Sequence, residues 1–375
     1  MPLAKPREGD SVDFHVYPAV SNEGTLGNPE TVIWASIRHL CSRNVGEGIA
    51  GGVHGIGKKR DREDVARNLK LYIRQANEFY EAAVAAKPNT APLIYYYSFL
   101  NLAKGLCELR QPRFHTHNEC YRHGISWRAD PQKLVDPAVE VVSITGRGVW
   151  HVLWEAVAER ACPAANPTRL RIRDLFSYCP EVSIESSQAF GRSLMLVDME
   201  QPDVLLDKAT SEAWLRFSGG RADLNGFRIS ARELIGPIST PRSGYIEVKS
   251  SDKEMRAFQS ATPKKVGQRE LVLEALHGDI LALNAFAHLA YEKRLKYFLP
   301  LQSRLPLVMP QLMVYYTILF WLGSLVRYDP HSLNALIDSQ YWLLIDGFMS
   351  QSRLWLLELF EWAFYRAETT LWITR

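Results

Sequence analysis

Ala91-Pro-Leu-Ile-Tyr-Tyr-Tyr-Ser-Phe-Leu-Asn-Leu-Ala-Lys-Gly-Leu106 aligns without gaps on Pro310-Gln-Leu-Met-Val-Tyr-Tyr-Thr-Ile-Leu-Phe-Trp-Leu-Gly-Ser-Leu325, more than two hundred residues later. Leu93 faces Leu312, Tyr96 and Tyr97 face Tyr315 and Tyr316, and Ser98 faces Thr317. Each stretch reads as a helix opened by a proline, with tyrosines at its start and arginine and histidine soon after it. A single echo is not an array, which would recur every 20–50 residues. It predicts two similar helical hairpins within one fold, and it makes the polar residues that follow each helix the first place to look for function.

The rest of the chain supports a mainly α fold with a small β insertion (α+β). Thr31–Asn44 reads as a helix, and Gly46–Gly57 as a glycine-rich loop ending in Lys58-Lys59-Arg60. Asp61 is the expected cap of a long amphipathic helix carrying Val65, Leu69, Tyr72, Ile73, Ala76, Phe79, Tyr80 and Ala83 on one stripe. Val139–Thr145 reads as a strand, Gly146-Arg-Gly148 as its turn, and Val149–Ala161 as a helix. Short segments at 193–198, 213–217 and 245–249 suggest strands. From Gln268 the pattern is helical again, over Leu271–Leu289, the second Tyr-Tyr helix, Leu333–Phe348 and Ser352–Tyr365. The expected divisions are 1–164 (helical), 165–262 (mixed, with a small sheet) and 263–375 (helical, packing on the first).

The 375 residues carry a formal net charge of +3, compatible with nucleic acid without pointing to it. Five scattered cysteines, with no Cys-x-x-Cys, fit a reducing cytosol, and the first residues lack a signal peptide's apolar core. A cytoplasmic location is therefore expected. No charge occurs between Arg304 and Arg327. Pro306 and Pro310 confine that helix to about 311–326, roughly 24 Å at 1.5 Å per residue, short of a ~30 Å hydrocarbon core. A buried core helix is expected, and no membrane.

Tyr95-Tyr-Tyr-Ser-Phe-Leu-Asn-Leu-Ala-Lys104, His123-Gly-Ile-Ser126, Gly148-Val-Trp150 and Gly323-Ser-Leu-Val-Arg-Tyr-Asp-Pro330 together resemble the YaaC-like proteins of bacteria, a family without a well-established biochemical activity. The Tyr-Tyr helix and the amphipathic helix before it are also similar to HEPN domains. That resemblance implies a helical bundle, a toxin or phage-defence setting, dimers with the motif at their interface, and Arg-x(4–6)-His residues that cleave RNA without a metal or other cofactor. Arg110 precedes His115 by four intervening residues and His117 by six, so both spacings fit. Gln111 stands where that family has Asn, Asp or His, and Pro112 follows.

The chemistry suits the residue types. A histidine can take the 2′-hydroxyl proton, and an arginine fork can hold the scissile phosphate. Arg110, His115 and His117 are the candidate catalytic residues. Lys58, Lys59, Arg60, Arg113, Arg122 and His123 are candidates for binding nucleic acid. The same residues also describe a solvated basic loop, so a non-catalytic protein that binds nucleic acid or a protein partner is the alternative.

His115, His117, Cys120 and His123 offer zinc's preferred ligand types within one short loop. Asp223, Glu247 and Lys249 resemble the carboxylates and lysine of a magnesium-dependent nuclease. Gly46-Glu-Gly48-Ile-Ala-Gly51 matches a dinucleotide fingerprint but follows a helix. Gly52-Val-His-Gly-Ile-Gly57-Lys58-Lys59 nearly spells a P-loop but ends in Lys59 where Ser or Thr is required. Tyr95–Tyr97 and Tyr315–Tyr316 could stack bases, although on apolar helices they belong more naturally to a core.

Overall fold

A computed structural model of the chain describes residues 4–12, 29–130, 132–164, 167–191, 196–200, 202–221, 244–267, 287–291, 294–300, 305–307 and 309–366, with 272 and 276. The fold is mainly α with a smaller β component. Helices α1 (Pro29–His39), α2 (Arg43–Gly48), α3 (Lys59–Ala85) and α4 (Ala91–Arg110) come first. Helix α3 forms because its apolar residues recur every third or fourth position. Val65, Leu69, Tyr72, Ile73, Ala76, Tyr80 and Ala83 are buried against α4, while Phe79 stays 38% exposed and packs on Tyr97. Lys58, not Asp61, occupies the cap position; Asp61 lies in the first turn and faces Arg113 at 3.5 Å.

The glycine-rich segment is mostly helical, contrary to the expected loop. Helix α2 runs straight into a π-turn over Ile49–Val53. Gly46 permits this, because a Cβ there would stand 2.9 Å from the Leu40 carbonyl and 3.1 Å from Ala66. The dinucleotide and P-loop readings lose their strand-to-helix loop, and Arg62 donates instead to the Ile56 and Gly57 carbonyls.

Strands β2 (Ile125–Ser126), β3 (Val141–Ile144) and β4 (Thr168–Arg171) form an antiparallel three-stranded sheet, with α5 (Val149–Ala158) between β3 and β4 and α6 (Ile172–Phe176) and α7 (Ser183–Phe190) after it. A second sheet is larger than expected. Among the described residues it has nine strands centred on one at Glu212–Gly220, which pairs with Asp203–Asp207, Leu196–Met199, Met255–Ser260 and Lys264–Lys265. It also draws in β1 (Asp10–Val12) from the first region and the hairpin Ala287–Tyr291/Arg294–Pro300 from the last. The strand at 287–291 replaces the end of the helix expected over Leu271–Leu289; most of the rest of that stretch lies outside the described residues.

Helix α8 (Gln311–Tyr328) then crosses the core, followed by α9 (Pro330–Ile337), α10 (Trp342–Gly347) and α11 (Arg353–Tyr365). The two echoed helices pack directly on each other. Gly323 allows their close approach, since its Cβ would lie 3.1 Å from the Tyr96 Cβ. The alignment faces Tyr96 with Tyr315, but in space Tyr96 meets Tyr316 at 5.8 Å and Phe320 at 5.6 Å. The likeness stops at the helices: α4 follows a long helix, whereas α8 follows the strand hairpin. Tyr95, Tyr96, Tyr315 and Tyr316 are all buried, so their rings build the core and do not stack bases. Among the described residues no helix is long and apolar enough to cross a membrane, and the cysteines are all free thiols.

Helix α5 is anchored by backbone. The N–H groups of Val149 and Trp150, which have no partner within their own helix, donate to the carbonyls of Arg122 and His123 at 2.8 and 2.9 Å. A Cβ at Gly148 would come within 2.5 Å of both the Arg122 oxygen and the Gly124 nitrogen. Gly148→Ala is therefore expected to destabilise the fold by about 1–3 kcal/mol, the usual range for overpacking. Urea unfolding reads this directly, and an unchanged midpoint would contradict the close approach.

Candidate functional site

Helix α4 stops at Arg110. Pro112 cannot continue it, and Arg113 turns the chain through the left-handed region at φ 68°. Two short 3₁₀ turns follow, Phe114–Thr116 and Asn118–Tyr121. The strained turn at Arg113 is secured by its contacts with Asp61 and Asp64 at 3.5 and 3.6 Å. Arg113, a candidate for binding nucleic acid, thus faces two carboxylates on a side chain that stays 45% exposed.

Glu108, in the last turn of α4, is fully buried. Its Oε1 accepts from the backbone N–H of His115 and from His115 Nδ1, both at 2.8 Å. Among the described residues its Oε2 has no hydrogen-bond partner. A bare Nδ1 lone pair that close to a carboxylate would be repelled, so the ring carries its proton on Nδ1. Asn68 reaches the same nitrogen at 2.9 Å, an approach satisfied when its interchangeable amide ends present the oxygen. Nε2 is thereby left as the acceptor on a side chain that remains 42% exposed. A carboxylate can in this way fix one imidazole nitrogen and leave the other free.

The remaining sequence candidates are spread around this pair. His117 Nδ1 takes a hydrogen bond from Gln111 Nε2 at 2.8 Å and lies 4.0 Å from Glu119. Arg110 is exposed and sits toward Arg366, whose guanidinium is pushed below its ordinary value by burial and further by the charge of Arg110. Among the described residues, no hydrogen bond joins Arg110 to either histidine. Arg122 is exposed beside the start of α5, and Lys58, Lys59 and Arg60 are exposed at the start of α3.

His123 belongs to a different place. Its Nδ1 is 2.6 Å from the Tyr96 hydroxyl, and its ring packs on Phe320. It lines a cleft of about 590 Å³ with Tyr96, Trp127, Arg128, Arg327 and Tyr328. Tyr96 and Glu108 are twelve residues apart on α4, about 18 Å at 1.5 Å per residue. The basic loop thus serves two separate regions. Three of the stretches that carried the family resemblance (95–104, 123–126 and 323–330) converge on this cleft. The fourth, Gly148-Val-Trp150, backs it through the carbonyl of His123.

Burial holds His123 below its ordinary value, with Arg327 and Lys104 adding to the effect; burial and Arg147 do the same for His151. Both resist protonation in the fold, whereas unfolded histidines take up protons near pH 6.5. Their stabilisation is full above that value and is lost as pH falls through it toward the lower folded values. The melting temperature should drop between pH 7.5 and 5.5, with a shallower drop in His123→Gln/His151→Gln. Equal slopes would contradict the assignment.

The zinc set does not assemble. His115 turns to Glu108, His123 to Tyr96, and buried Cys120 to the Tyr72 hydroxyl at 3.8 Å. Among the described residues no three His, Cys, Asp or Glu side chains form a metal-holding group. For the magnesium set, Asp223 lies outside the described residues, while both Glu247 oxygens are taken by Arg256 across the strand pair, at 2.8 and 3.0 Å.

Sequence reasoning missed Glu108, Asn68, Trp127 and Arg128. Glu108 had one visible signal: a lone carboxylate among apolar residues in the last turn of a buried helix. A family model described as YaaC-like protein matches residues 55–361. No curated protein and no solved structure matches the chain.

Proposed function

The chain belongs to the YaaC-like family, and from its geometry we propose that it is an RNA-directed effector that cleaves RNA without metal, using His115 as general base. The observation that carries this reading is the Glu108–His115 pair: one buried carboxylate oxygen receives both the ring and the backbone N–H of the same residue. In the proposed step His115 Nε2 takes the 2′-hydroxyl proton. The 2′-oxygen attacks the adjacent phosphorus, the bond to the 5′-oxygen breaks, and that oxygen leaves with a proton from the His117 imidazolium, whose Nδ1–H is then met by the oxygen of the Gln111 amide in its other orientation. Arg110 is the cation proposed to hold the phosphate. The α3–α4 pair followed by this loop is similar in plan to a HEPN unit, which supports a dimeric assembly in a toxin or phage-defence role.

A second reading has its own support. Among the described residues Arg110 makes no hydrogen bond to either histidine, while its charge is felt at Arg366, and the Glu108–His115 pair could serve only to pin the turn after α4. The protein would then bind nucleic acid or a protein partner without cleaving. Incubating the full chain with mixed RNA in excess EDTA, beside His115→Ala/His117→Ala, separates the two. Cleavage by the wild type alone supports catalysis at this loop; intact RNA in every lane supports the binding protein.

A further inference from the structure

We propose that the cleft between α4 and α8 is a nucleotide-binding site, with a base against its aromatic wall and a phosphate on Arg128 and Arg327. Its volume of about 590 Å³ falls within the ~300–1,000 Å³ of small-ligand pockets. Its lining joins an apolar floor, Phe320 and Ile125, to aromatic side chains and two arginines, and among the described residues it contains no carboxylate.

Both arginines are exposed, and neither makes an ion pair among the described residues. Arg327 is held over the ring of Tyr328 at 4.8 Å, which keeps its fork at the mouth of the cleft. Burial first, and then the charges of Arg327 and Lys104, hold His123 below its ordinary value, so both cations stand near its ring. An anion is what such a site lacks.

The aromatic wall is fixed in advance. Trp127 Nε1 donates to Glu140 at 2.6 Å, which sets the plane of its buried indole, and His123 is held by Tyr96, so the ring left open to a base is that of Tyr328, 62% exposed. Rigid rings bind a base at little entropic cost, and stacking is worth about 1–3 kcal/mol per base. Arginine forks match phosphate oxygens two at a time. The ligand chemistry is therefore a phosphate joined to a flat aromatic base, either a free nucleotide or one nucleotide of an RNA strand. The inference does not depend on ribonuclease activity, since the cleft lies away from His115 and binding is read without cleavage.

The test is calorimetric titration of the full chain with adenine and guanine mono-, di- and triphosphates, inorganic phosphate, and a short single-stranded RNA. Free nucleotide is expected to bind. Arg327→Ala should weaken it at least about tenfold, and Arg327→Lys should recover part of the loss, charge returning without the fork. Both positions are exposed, so the unliganded variants should melt with the wild type. Binding of the short RNA alone, equally sensitive to Arg327→Ala, would keep the site and identify its occupant as part of a strand. The inference fails if neither nucleotide nor RNA binds. It fails too if Arg128→Ala/Arg327→Ala binds as the wild type does, or if inorganic phosphate binds as tightly as a nucleotide.

Discussion

Replacing His115 with Ala should lower RNA cleavage by about 10²–10⁴-fold, the usual contribution of a positioned general base. The expectation follows from the tautomer that Glu108 imposes. With Nδ1 committed to the carboxylate at 2.8 Å, only Nε2 can receive a proton from substrate. Glu108→Gln keeps the shape of the side chain but replaces the charged acceptor, and it should lower cleavage as well. The two variants separate catalysis from architecture. If the pair merely pins the turn, both changes should lower the melting temperature and leave cleavage per folded molecule intact. If His115 is the base, His115→Ala should lose activity per folded molecule on top of a stability cost of about 1–3 kcal/mol, since the ring is 42% exposed but its loss takes one hydrogen bond from the buried Glu108 carboxylate. His117→Ala should have a smaller effect, since water can protonate the leaving oxygen in its place.

Trp150→Ala is expected to cost about 3–5 kcal/mol, the range for removing a large aromatic ring from a core. Trp150 is fully buried, packs on Trp154 with ring centres 5.6 Å apart, and donates from Nε1 to the Thr317 hydroxyl at 3.0 Å. That bond ties α5 to α8, and α5 in turn seats the His123 carbonyl. Removing the ring opens a cavity where three helices meet. Thr317→Val isolates the polar share: the indole N–H would remain buried without an acceptor, at about 1–3 kcal/mol. Urea unfolding with an unchanged slope measures both. A loss below about 1 kcal/mol for Trp150→Ala would show that α5 does not brace the core as described.

Much of the helical framework was legible in the sequence, because helices advertise themselves locally. The stripe from Val65 to Ala83 and the prolines before the two Tyr-Tyr helices mark α3, α4 and α8 by spacing alone. The large sheet was not legible as a sheet. Its strands come from residues near 10, around 200–260 and near 290, and pairing across such distances leaves no local trace. Gly46–Gly57 misled for a related reason: glycine signals a loop unless a neighbouring helix needs the space, and here Leu40 and Ala66 do.

The candidate site was half legible. His115 and His117 stood out by type and spacing, but their partners did not. Glu108 lies seven residues before His115, a separation that brings them together only because α4 breaks at Arg110 and the chain turns back. His123 looked like part of the same basic loop. Its backbone carbonyl holds α5 and its ring faces α8, which takes it to another region of the molecule. Arg327, noted in sequence only within the family-like stretch 323–330 and as the end of an uncharged run, joins it there.

The most direct test of His115 as general base is the chemistry of the RNA ends left after cleavage in excess EDTA. Attack by the 2′-oxygen must leave a 2′,3′-cyclic phosphate on one fragment and a 5′-hydroxyl on the other. Both should form with the wild type and vanish with His115→Ala. Fragments ending in 3′-hydroxyl and 5′-phosphate, formed only when magnesium is restored and equally by the variant, would contradict it.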